Sequence, residues 1–135
     1  MATTQRSFRL RPSTLELLDA YVREAGLSSN ALAQRLLDES LRLARHPSIR
    51  FREGDGGIRF LALVGRRLSV WDVMGTVRAE GGDVAGAAAY FEISPREGEA
   101  CVDYYAEFKD EVDAYGAETA DDALVDQTRW LAPVE

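Results

Sequence analysis

The chain has 135 residues, 46% of them hydrophobic, and a formal net charge of −7, which suits one modest core or two small ones and argues against bulk disorder. A single cysteine, Cys101, excludes an internal disulfide framework, and a single histidine, His46, leaves no Cys/His cluster for zinc. No secretory apolar region follows Met1, and the run FLALV at 60–64 is too short to span a bilayer, so a cytoplasmic protein with no cofactor and no membrane partner is expected.

The charge is unevenly spread. Through Ser48 there are seven arginines and five acids, a net of +2, whereas from Ile49 onward nine bases meet eighteen acids, a net of −9. Between Glu97 and Asp126 eleven acids face only Lys109. The two parts are therefore expected to meet different partners.

In chain order, the first element is RSFRLRP, Arg6 to Pro12, where Arg or Ser alternates with Phe or Leu before a proline. That pattern reads as a short strand, and so short a strand must pair with something. STLELLDAYVREAG follows. Ser13 and Glu16 have capping-box spacing, Leu15, Leu18 and Val22 share one helical face, and Gly26 stops the helix. A second helix starts at Ser28 or Ser29 and repeats Ala33, Leu36, Leu37, Ser40, Leu41 and Ala44. About 45 residues of strand, helix and helix are too few to close a core alone.

Residues 5–45 resemble the ribbon-helix-helix family of dimeric DNA-binding proteins. The resemblance implies that two copies pair their strands as an antiparallel ribbon in the major groove, over a shared four-helix core. Alternation along that strand then turns Ser7, Arg9 and Arg11 toward base edges, while Phe8 and Leu10, with Leu15, Leu18 and Leu36, form the ribbon and dimer core. Arginine suits base reading because its fork can donate twice to guanine, for roughly 1–3 kcal/mol of discrimination per good pair. Ser28, Ser29 and Asn30, opening the second helix, would hold a phosphate on free amide groups. The plainer reading of Arg9 and Arg11 is a charged edge strand, and that of Ser28 and Ser29 an ordinary cap.

Pro47 ends the helix, and His46 reads as a helix C-terminal cation or a loop residue with no chemical role. Ile49 and Phe51, then Ile58, Phe60 and Ala62, alternate around EGDGG, so 48–64 reads as a β-hairpin. Helices follow: one with Val70, Trp71, Met74 and Val77 ending at Gly81-Gly82, and a short one capped by Asp83. The longest comes last. It opens on the Ser94-Pro95-Arg96-Glu97 capping box, carries Cys101, Tyr104, Tyr105, Phe108, Val112 and Tyr115 on one side, and stops at Gly116. The last two form a helix-turn-helix pattern. Its candidate recognition turns hold Glu97, Glu99 and Asp103 beside Arg96 alone, and phosphate repels that set. The fold class expected is mainly α with short β: a ribbon-helix-helix domain at 1–46, a hairpin and helix-turn-helix domain at 47–116, and an acidic tail at 117–135.

HPSIRF, GDGG, LSVWDV, AAAYFEISP and VDYYAEFKDEVDAY together resemble a small domain, first named as a domain of unknown function, that is assigned to antitoxins. Joined to an N-terminal ribbon-helix-helix, the chain resembles VapB-type antitoxins. That resemblance implies a homodimer, or a higher even-numbered oligomer, that binds operator double-stranded DNA to repress its own operon and neutralises a PIN-like ribonuclease toxin. In such antitoxins a C-terminal segment crosses the toxin and an arginine can reach its catalytic carboxylates. The tail here carries Leu124, Arg129, Trp130 and Leu131, the side chains of a segment that folds onto a partner. Trp130 and Leu131 could equally fold back on the chain's own domain. A second reading is a stand-alone transcriptional regulator with a ligand-sensing or oligomerising C-terminal domain. An enzyme using Glu107, Asp110 or Glu111 is disfavoured, because solvent-facing acids without Ser, Cys or His support make a solvated face.

Overall fold

Pro12 fixes where the first helix begins in the computed structural model, which describes residues 3–53 and 59–116. Helix α1, Pro12–Ala25, has proline at N1 and Arg11 as an N-cap that makes no side-chain cap bond. The residue before a proline is driven to extended backbone, and Arg11 has φ −62° and ψ 146°. The helix therefore starts two residues earlier than the Ser13–Glu16 capping box requires, and Ser13 lies inside it. Gly26 closes α1 in the left-handed region, φ 68°, its N–H donating to the Val22 carbonyl at 3.1 Å. Ser28 then caps α2, Ser29–Arg45, its hydroxyl accepting from the Ala31 N–H at 3.1 Å. Residues 3–11 carry no strand pairing among the described residues.

Two compact units result, Met1–Arg42 and Leu43–Glu135. In the second, β1 (Ile49–Glu53) pairs antiparallel with β2 (Arg59–Leu63). The register joins Ile49 to Leu63, Phe51 to Leu61 and Arg52 to Phe60. Period 2 then puts Ile49, Phe51, Leu61 and Leu63 on one face and Arg50, Arg52, Phe60 and Ala62 on the other. The alternation predicts Phe60 and Ala62 as the apolar row of the second strand. The pairing turns Leu61 and Leu63 toward Ile49 and Phe51 instead, and Ala62, though fully buried, shares its face with two arginines.

Helix α3, Val70–Ala79, is capped by Ser69, whose hydroxyl accepts from the Asp72 N–H at 3.1 Å, and it buries Val70, Val73, Met74 and Val77. Its end is satisfied by the Gly82 N–H donating to the Val77 carbonyl at 2.8 Å. Asp83 caps α4, Val84–Tyr90, by accepting from Gly86 at 3.0 Å. Helix α4 ends in a Schellman turn: Ile93 donates to the Ala88 carbonyl at 3.0 Å and Glu92 to the Ala89 carbonyl at 3.2 Å. The left-handed position of that turn, φ 57°, holds Glu92 where glycine is the usual occupant.

Helix α5, Pro95–Glu107, opens on the expected capping box with Ser94 and Glu97 and with proline at its start. A Cβ on Gly98 would stand 3.1 Å from Val84, so the absence of a side chain there lets α5 approach α4 closely. The single helix expected to reach Tyr115 is broken at Phe108, φ −125° and ψ 41°, and resumes as α6 over 109–116. No proline or glycine stands at the break. Beyond it Val112 is buried and Tyr115 stacks on Phe60 with ring centroids 6.1 Å apart. Gly116 lies against the Trp71 indole, where an added Cβ would overlap the ring. The core gathers Ile49, Leu63, Val70, Val73, Cys101, Tyr104 and Val112 around α3 and α5.

Candidate nucleic-acid interface

The first unit does not bury its own apolar face. Helix α1 contains no buried residue, and α2 buries only Leu32 and Glu39. Phe8 is 66% exposed, Leu17 73% and Leu37 52%. These side chains line an open apolar groove of about 800 Å³ together with Leu10, Leu18 and Leu36. Leu15, placed with the dimer core by its helical spacing, is exposed and stands outside the lining. Leu17 and Tyr21, absent from the expected core set, also line the groove. Their i, i+4 spacing, continuing Leu10 and Thr14, is the signal that would have found them.

Next to the groove the chain presents its basic row. Ser7, Arg9 and Arg11 are all exposed in the extended segment before α1, and Arg9 also borders the groove. Ser29 and Asn30 open α2 exposed, on a unit that is net basic. Ser28 is committed to capping, which leaves the neighbouring N–H groups for an anion. The structure thus puts the two predicted phosphate and base sets on one small unit whose apolar residues are uncovered.

In the second unit most cations are already engaged. The Glu97 carboxylate accepts from Arg66 Nε at 2.6 Å and Nη2 at 3.1 Å, and from the Ser94 N–H at 3.1 Å. These bonds, Arg66 first, hold the Glu97 carboxyl down at about 2. The N-cap amide before α5 therefore already carries a carboxylate, and a phosphate approaching the start of the helix would meet that charge. Asp113 accepts from Lys109 at 2.8 Å, Tyr105 at 2.9 Å and Arg78 at 3.1 Å, and Arg78 also donates to the Tyr105 hydroxyl. Lys109 and then Tyr105 bring its carboxyl to about 2.

His46 has a partner that its sequence context does not announce. Its Nε2 lies 2.7 Å from Glu107, which Arg45 also holds at 3.1 Å, and its ring packs edge-on against Tyr104 and Phe108. Glu107, expected as a free solvent-facing acid, is thus part of an ion cluster at the head of the second unit. Burial pushes the Cys101 thiol up to about 12, with Glu97 adding to it, so it is a core side chain rather than a nucleophile. Among the described residues no group of three or more His, Cys, Asp or Glu could hold a metal ion, and no helix is long and apolar enough to cross a membrane. The predicted toxin-contacting residues Leu124, Arg129, Trp130 and Leu131 lie outside the described residues. Comparison with protein-family models, with curated proteins and with solved structures finds no match.

Proposed function

We propose that this chain is a DNA-binding antitoxin: a homodimer joined through its first 45 residues, which reads operator DNA with a paired ribbon and uses its acidic C-terminal part to neutralise a PIN-like ribonuclease. The observation that carries the reading is the open groove of about 800 Å³ on the first unit. A unit of about 40 residues needs oligomerisation, a metal or disulfides to be stable, and this one has neither a cysteine nor a metal cluster among its described residues. A second copy supplies the same apolar residues, and an isologous contact between two such grooves covers both. Pairing the extended segments about the same axis puts Phe8 and Leu10 inward and Ser7, Arg9 and Arg11 outward as one ribbon, an element that fits the major groove. Ser29 and Asn30 at the exposed start of α2 then take flanking phosphates.

The hairpin and helices of the second unit act in this reading as a folded scaffold of helix-turn-helix shape. The supporting feature is the Glu97 carboxylate held on the Ser94 N–H at the N-cap of α5, which disfavours a second recognition helix. The acidic segment after Tyr115, with Arg129 and Trp130, is the part assigned to the toxin. The direct test expresses the adjacent reading frame alone, with this chain, and with a version ending at Tyr115. Growth arrest relieved by the full chain and not by the shortened one is the expected result. A neighbour that causes no arrest, or arrest that the full chain leaves unrelieved, sinks the antitoxin reading.

A further inference from the structure

We propose that the β1–β2 hairpin of the second unit is an additional phosphate-contacting surface for duplex DNA, acting through Arg50 and Arg52. This rests on the DNA-binding reading above and extends it to a part of the chain whose net charge is negative.

Most cations of the second unit are already spoken for. From Ile49 onward acids outnumber bases by eighteen to nine, so a cation there does not lack possible partners. Arg66 holds Glu97, and Arg78 and Lys109 share Asp113. Arg50 and Arg52 form no ion pair among the described residues. Arg50 Nε is buried without a hydrogen-bond partner, and its Nη2 reaches only the Arg66 carbonyl, at 3.5 Å. Arg52 lies over the Phe60 ring at 5.7 Å, and that ring is braced on its other neighbour, Tyr115.

Period 2 puts both arginines on one face of β1, roughly 7 Å apart, and the hairpin register fixes them there against Ala62 and Phe60. Exposed Arg67 follows the hairpin at the next turn. Both arginines are half-buried, the buried Arg50 Nε fixes its side chain without a partner, and two guanidiniums without an acid where acids abound leave their outer N–H groups for an external anion. The chain connectivity selects which anion. Only residues 46–48 separate the end of α2 from the start of β1, so a duplex bound through the first 45 residues stays tethered by a short link to the chain that carries the hairpin. The rings of Phe51 and Phe60 carry Arg59 and Arg52 over them, which leaves backbone phosphate rather than stacked bases as the target.

The test measures binding of the full chain to duplex DNA from upstream of its reading frame, and to a scrambled duplex, across a series of salt concentrations. Each phosphate contact contributes about 0.9 to the slope of log affinity against log salt. The double variant R50Q/R52Q is expected to lose about that amount per contact removed, with the ratio of affinities for the two duplexes unchanged. R50K/R52K keeps the charge and is expected to retain the slope, which a merely structural role for the guanidiniums would not give. On the wild-type chain, arginine-specific labelling read by mass spectrometry should show Arg50 and Arg52 protected by the duplex. An unchanged slope in R50Q/R52Q, or equal labelling with and without DNA, overturns the proposal. So does protection that needs no DNA and disappears in a chain ending at Tyr115, which would give the surface to the chain's own acidic segment. If the wild type binds neither duplex, or binds independently of Arg9 and Arg11, it is the reading of the first unit that fails instead.

Discussion

Glu92 shows how one residue can work against the element it terminates. It supplies the left-handed position of the Schellman turn after α4, and the turn is held because Ile93, 7% exposed, seats its side chain beside Ala88 in the core. An L residue in that region costs about 1–2 kcal/mol, while glycine there costs about 0.5–1 kcal/mol in chain entropy. Glu92→Gly is therefore expected to raise the stability of the second unit by up to about 1 kcal/mol, and Glu92→Val to lower it by a similar amount. Urea denaturation of the two variants checks the order. If Gly is the less stable, the turn is not strained at this position.

At the scale of elements, the second unit is tied together by charges that bridge its helices and hairpin. Asp113 joins α6 to α5 through Tyr105 and to α3 through Arg78, and Glu97 joins α5 to Arg66, just past β2. Both carboxyls are held at about 2, below their ordinary values of 3.8 and 4.5. A depressed folded value means that the unfolded chain binds more protons, so the contribution is full above the ordinary value and fades as pH falls toward about 2. Asp113→Asn is expected to flatten the pH dependence of melting between 3.8 and about 2. Glu97→Gln is expected to flatten it from 4.5 downward while keeping the capping geometry, since glutamine serves at that position. Both groups are only half-buried, so added salt should shrink both effects; profiles that match the wild type at low salt would show these ties to be idle. The same contacts explain what the sequence could and could not tell. Pro12, Gly26, Asp83 and the Ser94–Glu97 box are local signals read within a few residues, and the helices begin and end beside them. The His46–Glu107 contact joins residues 61 apart, the Phe108 break has no local breaker, and the hairpin register depends on a turn and a core that no window of residues contains. In the candidate interface the basic row and the cap were legible from Arg9, Arg11 and Ser28. Arg50 and Arg52 were not, because only the pairing reveals which arginines lack an acid.

For the molecule as a whole, the decisive quantity is the apolar area that the first unit leaves uncovered. Phe8, Leu10, Leu17 and Leu37 are each at least half exposed, and full burial of such side chains is worth about 1.5–3 kcal/mol apiece. These four and Leu36 are already partly buried, so covering what remains amounts to roughly 4–8 kcal/mol, comparable with the whole stability of a small domain. In the proposed dimer, a second copy covering them would contribute most of what keeps the first unit folded. Its melting should depend on protein concentration by mass action, while that of the second unit, which has its own core, should not. Leu37→Glu puts a charge into the covered face without altering helix propensity, because leucine and glutamate are similar in a helix interior. The variant is expected to sediment as a monomer and to lose the circular-dichroism helix signal of α1 and α2, with the second unit's transition in place. If Leu37→Glu remains an even-numbered oligomer with full helix content, the groove is not the dimer contact. A wild-type first transition that holds its midpoint across a hundredfold dilution would say the same, since at fixed enthalpy a dimer's midpoint must fall as the chain is diluted.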